Sequence, residues 1–382
     1  MTKQQTVLIT LGRLPKALDI ARAFHSIGWR VVIAEPFGWH LSRVSRAVAR
    51  CYKITAPNTN ATQYRADLLK VVEREHVDLV MPVSEEAVYA SSLINDLPEG
   101  VAFFGPDHQQ MVRLHDKLHF CQLAAEQGLT VPDHAAFGTA EAEAIAQSGD
   151  YVLKPRNSAT GLGVSFNSAG TALPTGVAYG DHLVQRKIEG ALVSSFTLAQ
   201  QGAVAVTVIY RGVVFDGTVA IAFERVTDCK AAEHWITDFV SATAYTGMVA
   251  FDFLIDQSDR AYAVECNPRA TSGLHFLTES DLAAAILSVP HAEPRFRTGV
   301  LQQFYPMLTL TQASFGKWAK YRNNLRTLFR AKDVTMRWSD PLPFLLMTPM
   351  SHQILRRALF GGVSMGEAAI EDIGWFGPQG RP

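Results

Sequence analysis

Residues 248–273 constrain this chain most strongly, because their pattern places two acidic side chains opposite each other. Within them, two segments with strand character flank a polar turn of four residues. This arrangement predicts an antiparallel hairpin. If Asp256 lies opposite Ala261 across that turn, the same register places Asp252 directly opposite Glu265.

Strand alternation divides the predicted hairpin, with strands at 249–255 and 261–267, into two faces. The acidic face carries Ala250, Asp252, Leu254, Ala261, Ala263, Glu265 and Asn267, and the core face carries Phe251, Phe253, Tyr262, Val264 and Cys266. Directly opposed carboxylates repel each other, with Cβ atoms roughly 5 Å apart. Two carboxylates and the Asn267 amide oxygen are ligands that Mg²⁺ prefers, so the hairpin predicts a magnesium site. The alternative is a solvated face with two unrelated acids.

The composition bounds the size and the partners of the protein. A chain of 382 residues can form two or three domains, and its 48% hydrophobic and 19% charged residues are typical of α/β proteins. The net charge of −1 gives no electrostatic indication of a nucleic-acid partner. Four scattered cysteines and the absence of an apolar stretch long enough to span a bilayer predict a cytoplasmic protein without a membrane partner.

The N-terminal third has the alternating pattern of a parallel sheet. An apolar strand at 6–11, a helix at 15–27 and a second strand at 31–35 predict a βαβ unit. Only Gly12 stands at the first turn, so the glycine fingerprint of a nicotinamide site is missing. The acids of 84–86 follow a strand and indicate either a ligand edge or, as the preferred interpretation, the start of a helix.

The middle of the chain carries basic residues and a loop of small residues. A helix predicted over 106–128 contains Lys117, and a strand ends in Lys154 before the small-residue loop 158–163. Such loops let backbone N–H groups approach phosphate oxygens, although a plain turn fits the pattern equally well. A further strand is predicted at 182–190, followed by three antiparallel strands within 192–224 and a helix at 231–244.

These features occur in an order that resembles the ATP-grasp superfamily. The spacing D-x12-E-x-N-P-R from Asp252 to Arg269 resembles its magnesium site, and 182–190 resembles its adenine-binding hinge. The superfamily includes carboxylate–amine ligases such as D-alanine–D-alanine ligase, as well as modules of carbamoyl-phosphate synthetase and biotin carboxylase. The resemblance covers roughly residues 1–280, and most specifically 110–275.

The resemblance implies an α/β fold with a Rossmann-like domain before a two-lobed α+β ATP-grasp fold. The implied parts are a Rossmann-like domain at 1–105, a linker helix and small lobe at 106–190, a large lobe with the metal site at 191–290, and a helix-rich C-terminal extension at 291–382. The C-terminal extension lies beyond the resemblance and is predicted from its own helical patterns at about 313–330 and 351–360.

The resemblance also implies roles for particular residues. Those implied for ATP binding are Lys117, Lys154, Thr160, Gly161, Gly163, Gln185, Arg186, Lys187 and Ile188. Those implied for Mg²⁺, with Mn²⁺ as an alternative, are Asp252, Glu265 and Asn267, whereas Lys154 and Arg269 act in catalysis and Arg269, Ser272 and Gly273 contact the substrate. Arg186 stands where a glutamate is common in the family.

The implied activity is that of an ATP-dependent ligase. It would activate a small carboxylic acid as an acyl phosphate and join it to an amine, an amino acid or a thiol, with release of ADP and phosphate. Two alternatives remain open at this stage: an enzyme that activates bicarbonate or transfers the phosphoryl group onward, and a non-catalytic nucleotide-binding module. A homo-oligomer is compatible with all three.

Overall fold

The computed structural model describes residues 3–158, 161, 163–216, 219–288, 293–303 and 317–377. Their strands form three sheets of five, four and seven strands. Parallel and antiparallel sheets with packed helices confirm the predicted α/β class. Within the described ranges, no helix is both long and apolar enough to cross a membrane.

The first sheet is parallel and has the strand order β3-β2-β1-β4-β5. Its strands are β1 (Thr6–Ile9), β2 (Arg30–Glu35), β3 (Arg50–Lys53), β4 (Leu79–Met81) and β5 (Ala102–Phe103), and its helices are α1 (Pro15–Ser26), α2 (Ala61–Glu75) and α3 (Ala87–Ala90). Short 3₁₀ helices follow at Leu41–Val44 and Ser91–Asp96. The order 3-2-1-4-5 is that of a doubly wound sheet, so ligands are expected at the carboxyl ends of its strands.

A carboxylate of the protein itself occupies the first turn of this sheet. Glu35, at the end of β2, is fully buried and accepts hydrogen bonds from the backbone N–H groups of Gly12 and Arg13 at 2.8 and 3.0 Å. A Cβ atom on Gly12 would lie 2.4 Å from Nδ1 of His40, so this close approach requires glycine. The N–H groups that face a phosphate in dinucleotide-binding folds therefore face a carboxylate here.

The helix predicted over 106–128 is divided into two. Helix α4 (His108–His115) ends before Asp116, and α5 (Lys117–Glu126) begins after it. Asp116 has an extended backbone, and its carboxylate accepts hydrogen bonds from the N–H groups of Leu118 and His119. An N-cap of this kind satisfies the free donors of a new helix, which is why the single helix is wrong.

The second sheet is antiparallel, with the order β6-β9-β7-β8. Its strands are β6 (His134–Ala136), β7 (Tyr151–Pro155), β8 (Ser165–Asn167) and β9 (His182–Arg186), and helix α6 (Ala140–Ser148) packs beside them. Strand β7 ends at Pro155, which places Lys154 at the beginning of the small-residue loop.

The third sheet has the order β14-β13-β10-β11-β12-β15-β16. Its strands are β10 (Ala191–Gln200), β11 (Ala203–Asp216), β12 (Val219–Arg225), β13 (Gly247–Ile255), β14 (Ala261–Asn267), β15 (Leu301–Gln302) and β16 (Lys332–Asp333). Helix α7 (Lys230–Ala242) covers one face through Trp235 and Phe239, whose rings pack on Phe251. A 3₁₀ helix, Ser272–Phe276, and helix α8 (Glu279–Ile286) follow the hairpin.

The C-terminal region is helical, as predicted, although its strands β15 and β16 also extend the third sheet. Its described helices are α9 (Trp318–Arg330), α10 (Leu342–Leu345), α11 (Met347–Met350), α12 (His352–Gly361) and α13 (Met365–Ile370). Buried ion pairs join it to the first domain: Asp340 pairs with Arg22 at 2.9 Å, and Asp372 pairs with Arg13 at 2.6 Å. The first four residues predicted for α9, 313–316, lie outside the described residues.

Candidate active site

The acidic hairpin has the predicted pairing at its centre. Asp252 on β13 lies directly opposite Glu265 on β14, and Asn267 lies opposite Ala250. Nearer the turn the predicted register is wrong, because Ile255 and not Asp256 pairs with Ala261. The register shifts by one residue between the two regions, which makes this a β-bulge.

The bulge changes which side chains of β14 enter the core. Val264 has no partner on β13 in this register, so the side chains before it are inverted relative to the predicted faces. Ala261 and Ala263 pack in the core with Phe253, whereas Tyr262 is half-buried on the other side. The predicted faces are therefore wrong for residues 261–264 and right for 265–267.

Burial and repulsion by Glu265 perturb the Asp252 carboxyl group. Burial, with the neighbouring Glu265 charge as the second cause, raises the pKa of Asp252 to about 6. Ser194, opposite Asp252 on β10, donates its hydroxyl hydrogen bond to Oδ1 of Asp252 at 2.5 Å and favours the ionised form. Two acids held together at such a cost are characteristic of a site that receives a cation.

Two lysines from outside the third sheet reach β14. Lys154, buried at the end of β7, donates to the carbonyl oxygen of Val264 at 2.8 Å, so the bulge residue supplies its acceptor. Burial lowers the pKa of Lys154, and the nearby Glu265 carboxylate opposes that shift. Lys117, at the start of α5, lies 3.4 Å from Oε1 of Glu265 and donates to the carbonyl oxygen of Ser158 at 2.7 Å. Both predicted lysines therefore border the acids.

Arg269 links the hairpin to the first domain. Its Nη2 atom lies 2.6 Å from Oε1 of Glu85 and donates to Oδ1 of Asn267 at 2.8 Å. The other oxygen of Glu85 lies 3.1 Å from Nε2 of His115. Burial raises the pKa of the Glu85 carboxyl, but the Arg269 charge and the hydrogen bond to His115 outweigh it and hold that pKa well below its usual range. The Asn267 amide oxygen, which is a predicted metal ligand, therefore also accepts a hydrogen bond from Arg269.

Lys16 forms part of the same wall of the site. It follows the first turn of the parallel sheet, and its Nζ donates to the carbonyl oxygen of Ala270 at 2.7 Å. Burial, and next the charge of Arg269, lower the pKa of Lys16 to about 7. The carboxyl ends of β1 and β4 thus face the segment that follows the acidic hairpin.

The remaining predicted residues lie in three places. Ser272 has its hydroxyl 3.5 Å from the side-chain oxygen of Gln303, and Gly273 packs so closely that a Cβ would lie 2.6 Å from Cβ of Phe196. Gly161 and Gly163 have positive φ angles of 72° and 74°, as expected for a tight loop. Thr160 lies outside the described residues.

The predicted hinge differs from the hairpin. The backbone N–H groups of Arg186 and Lys187 donate to the carbonyl oxygens of Asp133 and Asp150 at 2.8 and 3.0 Å. The Arg186 guanidinium donates to the carbonyl oxygen of Ile145 at 3.2 Å, and Lys187 pairs with Glu189 at 2.6 Å. Gln185 is buried, with its amide 3.5 Å from Sγ of Cys121, and Ile188 is half-buried. A nucleotide at this strand would depend on the backbone groups that these bonds leave.

The sequence and the fold were each compared with known proteins. A family model described as the ATP-grasp domain matches residues 114–273. The chain contains an ATP-grasp domain. The match includes the acidic hairpin, both lysines and Arg269. No curated protein matches the sequence.

Solved structures share the fold of the ATP-grasp domain and of the parts around it. N5-carboxyaminoimidazole synthetase from Staphylococcus aureus, complexed with ADP, has a TM-score of 0.62 at 13% identity, over 80% of this chain and 83% of that chain. Biotin carboxylase from Campylobacter jejuni has a TM-score of 0.62 at 15% identity, over 78% and 74%. L-amino acid ligase from Bacillus licheniformis has a TM-score of 0.57 at 18% identity, over 77% and 75%. These likenesses confirm the predicted fold class.

The donor set of this ATP-grasp domain fits Mg²⁺. Asp252 and Glu265 offer carboxylate oxygens, Asn267 offers an amide oxygen, and a hard cation takes oxygen ligands. Among the described residues, no group of three His, Cys, Asp or Glu side chains is placed to hold a metal, and the third predicted ligand is an amide. Burial and, second, repulsion by Glu265 raise the pKa of Asp252, and a bound cation would relieve that repulsion. The prediction of ATP and Mg²⁺ agrees with the biotin carboxylase domain of Hydrogenobacter thermophilus 2-oxoglutarate carboxylase, solved with MgADP.

Four residues near the ATP-grasp acids were not assigned to the site from the sequence: Lys16, Glu85, His115 and Ser194. Glu85 carried a signal, since it follows a strand of a doubly wound sheet, but a helix start was preferred. Helix α3 begins at Ala87 without a side-chain cap, so that preference is wrong for Glu85. Lys16 and Ser194 carried no local signal, because only the tertiary fold brings them to the hairpin.

Proposed function

We propose that this protein is an ATP-dependent carboxylate–amine ligase. The observation that carries the proposal is the convergence on one hairpin of opposed acids, Asp252 and Glu265, with three basic side chains from three parts of the chain, Lys117, Lys154 and Arg269. Such a set holds a metal nucleotide and stabilises the charge of a transferred phosphoryl group.

In the proposed reaction, different residues bind ATP, hold the metal and orient the acid substrate. Lys154 and Lys117 would bind phosphate oxygens of ATP, and Glu265, Asp252 and Asn267 would hold Mg²⁺, with Mn²⁺ as a substitute. When bound, the metal neutralises charge on the phosphate oxygens during transfer. Arg269 would orient the acid substrate, and the buried pair with Glu85 fixes the guanidinium beside Asn267. Ser272 and Gly273 would line the same end of the site.

The first proposed step transfers the γ-phosphoryl group to the acid. A carboxylate oxygen attacks the γ-phosphorus, the bond from that phosphorus to the bridging oxygen breaks, and ADP leaves. Arg269 and Lys154 offset the negative charge on the transferred group. The loop that contains Gly161 and Gly163 would close over the acyl phosphate and exclude water, which would otherwise hydrolyse it.

The second proposed step forms the amide. The amine nitrogen attacks the acyl carbon, the bond from that carbon to the phosphate oxygen breaks, and the nitrogen loses a proton. Lys16 is suited to accept this proton, because burial and the charge of Arg269 lower its pKa to about 7. Glu85 and Glu86 lie beside Lys16 and partly oppose the lowering of its pKa.

Bicarbonate activation is the second candidate, because the structures that share the fold include biotin carboxylases and N5-carboxyaminoimidazole synthetases as well as an L-amino acid ligase. These identities are all below 20%, so they do not choose between the reactions.

The experiment that tests the proposal is Mg²⁺-dependent ADP release by the full-length protein with pooled carboxylic acids and pooled amines or amino acids. The expected result is ADP formed only when an acid and an amine are both present. ADP release with bicarbonate and no organic acid would replace the ligase by the second candidate. Firm ATP binding without turnover in any pool would support a nucleotide-binding module and overturn the ligase. A thiol pool in a parallel arm tests the thioester variant of the same reaction.

The same proposal carries two expectations about the setting. We place the reaction in the cytoplasm, where ATP and reduced cysteines are found, and the four cysteines of the chain are free thiols. Light scattering of the purified protein at several concentrations would distinguish a monomer from the homo-oligomer that the superfamily resemblance allows.

A further inference from the structure

The C-terminal segment 317–361 differs in charge from the rest of the chain. It contains nine Lys and Arg residues and two Asp residues, whereas the whole chain has 35 basic and 36 acidic residues. Seven of the nine are exposed: Lys317, Lys320, Arg322, Arg326, Arg330, Lys332 and Arg356. Within the described ranges, none of the seven pairs with a carboxylate, while Arg337 and Arg357 pair with Glu279 and Asp372. The chain is nearly neutral as a whole, whereas its segment 317–361 is strongly basic.

The same segment exposes large apolar side chains. Seven of the thirteen large hydrophobic residues found exposed in the described chain lie in it: Trp318, Phe329, Trp338, Leu342, Leu345, Leu359 and Phe360. Trp338 is 90% exposed and Phe360 is 86% exposed. Single exposed apolar residues are ordinary, but this density in one segment marks an interaction surface.

Helix α9 presents both kinds of side chain on one side. Trp318, Arg322, Arg326 and Phe329 are spaced by four, four and three residues, so they share the outward face. The opposite face is anchored by Leu328, which packs with Ile221 and Ala222 of β12. The outward face is therefore fixed by the core packing.

Helix α12 repeats this arrangement at the same end of the molecule. Arg356, Leu359 and Phe360 point outward, while its inner side packs on α13. A Cβ on Gly366 of α13 would lie 2.8 Å from Val219, two residues before the strand position that α9 covers. Helix α9 therefore approaches β12 directly, whereas α12 approaches it through α13.

We propose that the outward faces of α9 and α12 bind the surface of an anionic lipid bilayer. Helices that carry Lys and Arg together with Trp, Phe and Leu lie in the plane of such a surface, with the apolar side chains among the acyl chains. Basic side chains gain from the negative surface potential of the lipids. This is binding on the membrane and not across it.

The positive charge of the segment favours a lipid surface over a second copy of the chain as the binding partner. A two-fold contact would place the same basic patch against itself, and the described segment offers no exposed acidic side chain to offset the repulsion. The cores of protein–protein interfaces are also depleted in lysine. The proposal departs from the expectation of no membrane partner, which followed from the absence of an apolar stretch long enough to span a bilayer. It is independent of the proposed ligase activity.

Flotation of the full-length protein with lipid vesicles tests the proposal. We expect binding to vesicles of mixed phosphatidylcholine and phosphatidylglycerol, little binding to phosphatidylcholine alone, and release when salt is raised to about 1 M. Equal binding to both vesicle types, or no binding to either, would overturn the proposal. Nucleic acid that displaces the protein from the vesicles at equal charge would assign the surface to a different polyanion.

Two double variants separate the contributions of charge and of apolar insertion to vesicle binding. Arg322→Gln with Arg326→Gln should weaken vesicle binding about fivefold for each charge removed. Leu359→Ser with Phe360→Ser should weaken it at least as much, because the apolar insertion is lost. The matched control is Lys70→Gln with Arg74→Gln, which removes two exposed charges of the same spacing from α2 and should leave binding unchanged. Equal losses in the control and in the α9 variant would show a charge effect without a surface. Thermal unfolding of each variant at the wild-type temperature establishes that it is folded.

Discussion

The acidic hairpin and the predicted hinge strand were assigned to the same nucleotide site, yet the fold treats them differently. At the hairpin, basic side chains from three parts of the chain converge on Asp252 and Glu265, and the repulsion between the two acids is left partly uncompensated. At the hinge, the side chains of Arg186 and Lys187 bind the neighbouring residues Ile145 and Glu189. A ligand at the hairpin therefore meets side-chain chemistry, whereas a ligand at the hinge meets backbone.

This difference shows which residue roles can be inferred from a resemblance to a family. A motif of acids, amide and guanidinium specifies side chains, because in such a motif the side chains themselves supply the groups that bind metal and phosphate. A hinge that binds through its backbone specifies a path of the chain and leaves its side chains free to serve the fold. Roles assigned to hinge side chains therefore require a separate test, and variants at both places sharpen that contrast.

The largest effect is expected from Glu265→Ala. This change removes a carboxylate opposite Asp252 and the partner of Lys117, so we expect a loss of ADP release of at least about 10³-fold. The measurement is Mg²⁺-dependent ADP release with the substrate pool that supports it. Glu224→Ala, which removes a carboxylate paired with Arg211 on the same sheet, is the matched control. Wild-type turnover by the Glu265 variant would refute the site assignment.

Lys154→Met should reduce kcat by about 10²- to 10³-fold, because it removes a buried positive charge from the phosphate site while keeping the apolar stem. Circular dichroism should show an unchanged fold. The control is Lys187→Met, which removes a lysine from the hinge of the same lobe. Equal losses in both variants would remove the contrast between hairpin and hinge.

Much of this arrangement is readable from the sequence, and the unreadable parts have physical causes. The pairing of Asp252 with Glu265 was predicted from a register that is wrong at the turn, and it holds because the bulge at Val264 restores that register beyond it. The bulge itself is not readable from the sequence, because one extra residue leaves the hydrophobic pattern almost unchanged while it inverts the side chains on the turn side. The division of the helix at Asp116 likewise depends on a cap that competes with a continuous helical pattern.

Partners from distant elements were the harder part. Glu85 and Lys16 reach Arg269 and Ala270 across more than 180 residues of sequence, and only the packing of the first sheet against the third brings them together. The C-terminal segment shows the same limit for charge, since a total of −1 says nothing about how 35 basic side chains are distributed. The net charge of a whole chain therefore excludes fewer binding partners than the net charge of each of its segments.

Glu85→Gln tests whether the first domain positions Arg269. Loss of one charge from this buried pair should lower kcat/KM by about 10- to 100-fold and reduce the free energy of unfolding by about 3–5 kcal/mol. The readouts are steady-state kinetics and urea unfolding. An effect on stability without an effect on kcat/KM would mean that the pair only joins the two domains. Glu86→Gln, which changes the adjacent buried acid, provides the comparison.

The pH dependence of Mg²⁺ binding should follow Asp252. Because its pKa is raised to about 6, protonation competes with the metal below that pH, and the affinity should fall about tenfold for each further pH unit. Ser194→Ala removes a hydrogen bond to the ionised form, so the profile should move to higher pH. Calorimetric titration at several pH values measures both. A profile unaffected by Ser194→Ala would place the titrating group elsewhere.

The same shift has a consequence for the metal-free protein. A carboxyl group whose pKa rises from 3.8 to about 6 on folding binds protons more tightly in the folded state, so it stabilises the fold below the unfolded pKa. That contribution is lost as the pH rises through about 6. Asp252→Asn should remove this slope, which is visible as a difference between the two proteins in urea unfolding with chelator present.

The smallest effect is expected from Arg186→Ala. The guanidinium donates to Ile145 and Ser148 at the end of α6, and the backbone N–H of Arg186 donates to the carbonyl oxygen of Asp133, so this side chain is already held by the protein. We expect the KM for ATP to change by less than about threefold, and the ion pair of Arg186 with the exposed Asp133 carboxylate, at 3.9 Å, contributes about 0–1 kcal/mol to stability. A tenfold rise in the KM for ATP at unchanged stability would show that the side chain turns into the cleft when nucleotide binds. The contrast between hairpin and hinge would then describe only the protein without its nucleotide, and the hinge would have to be assigned by its side chains after all.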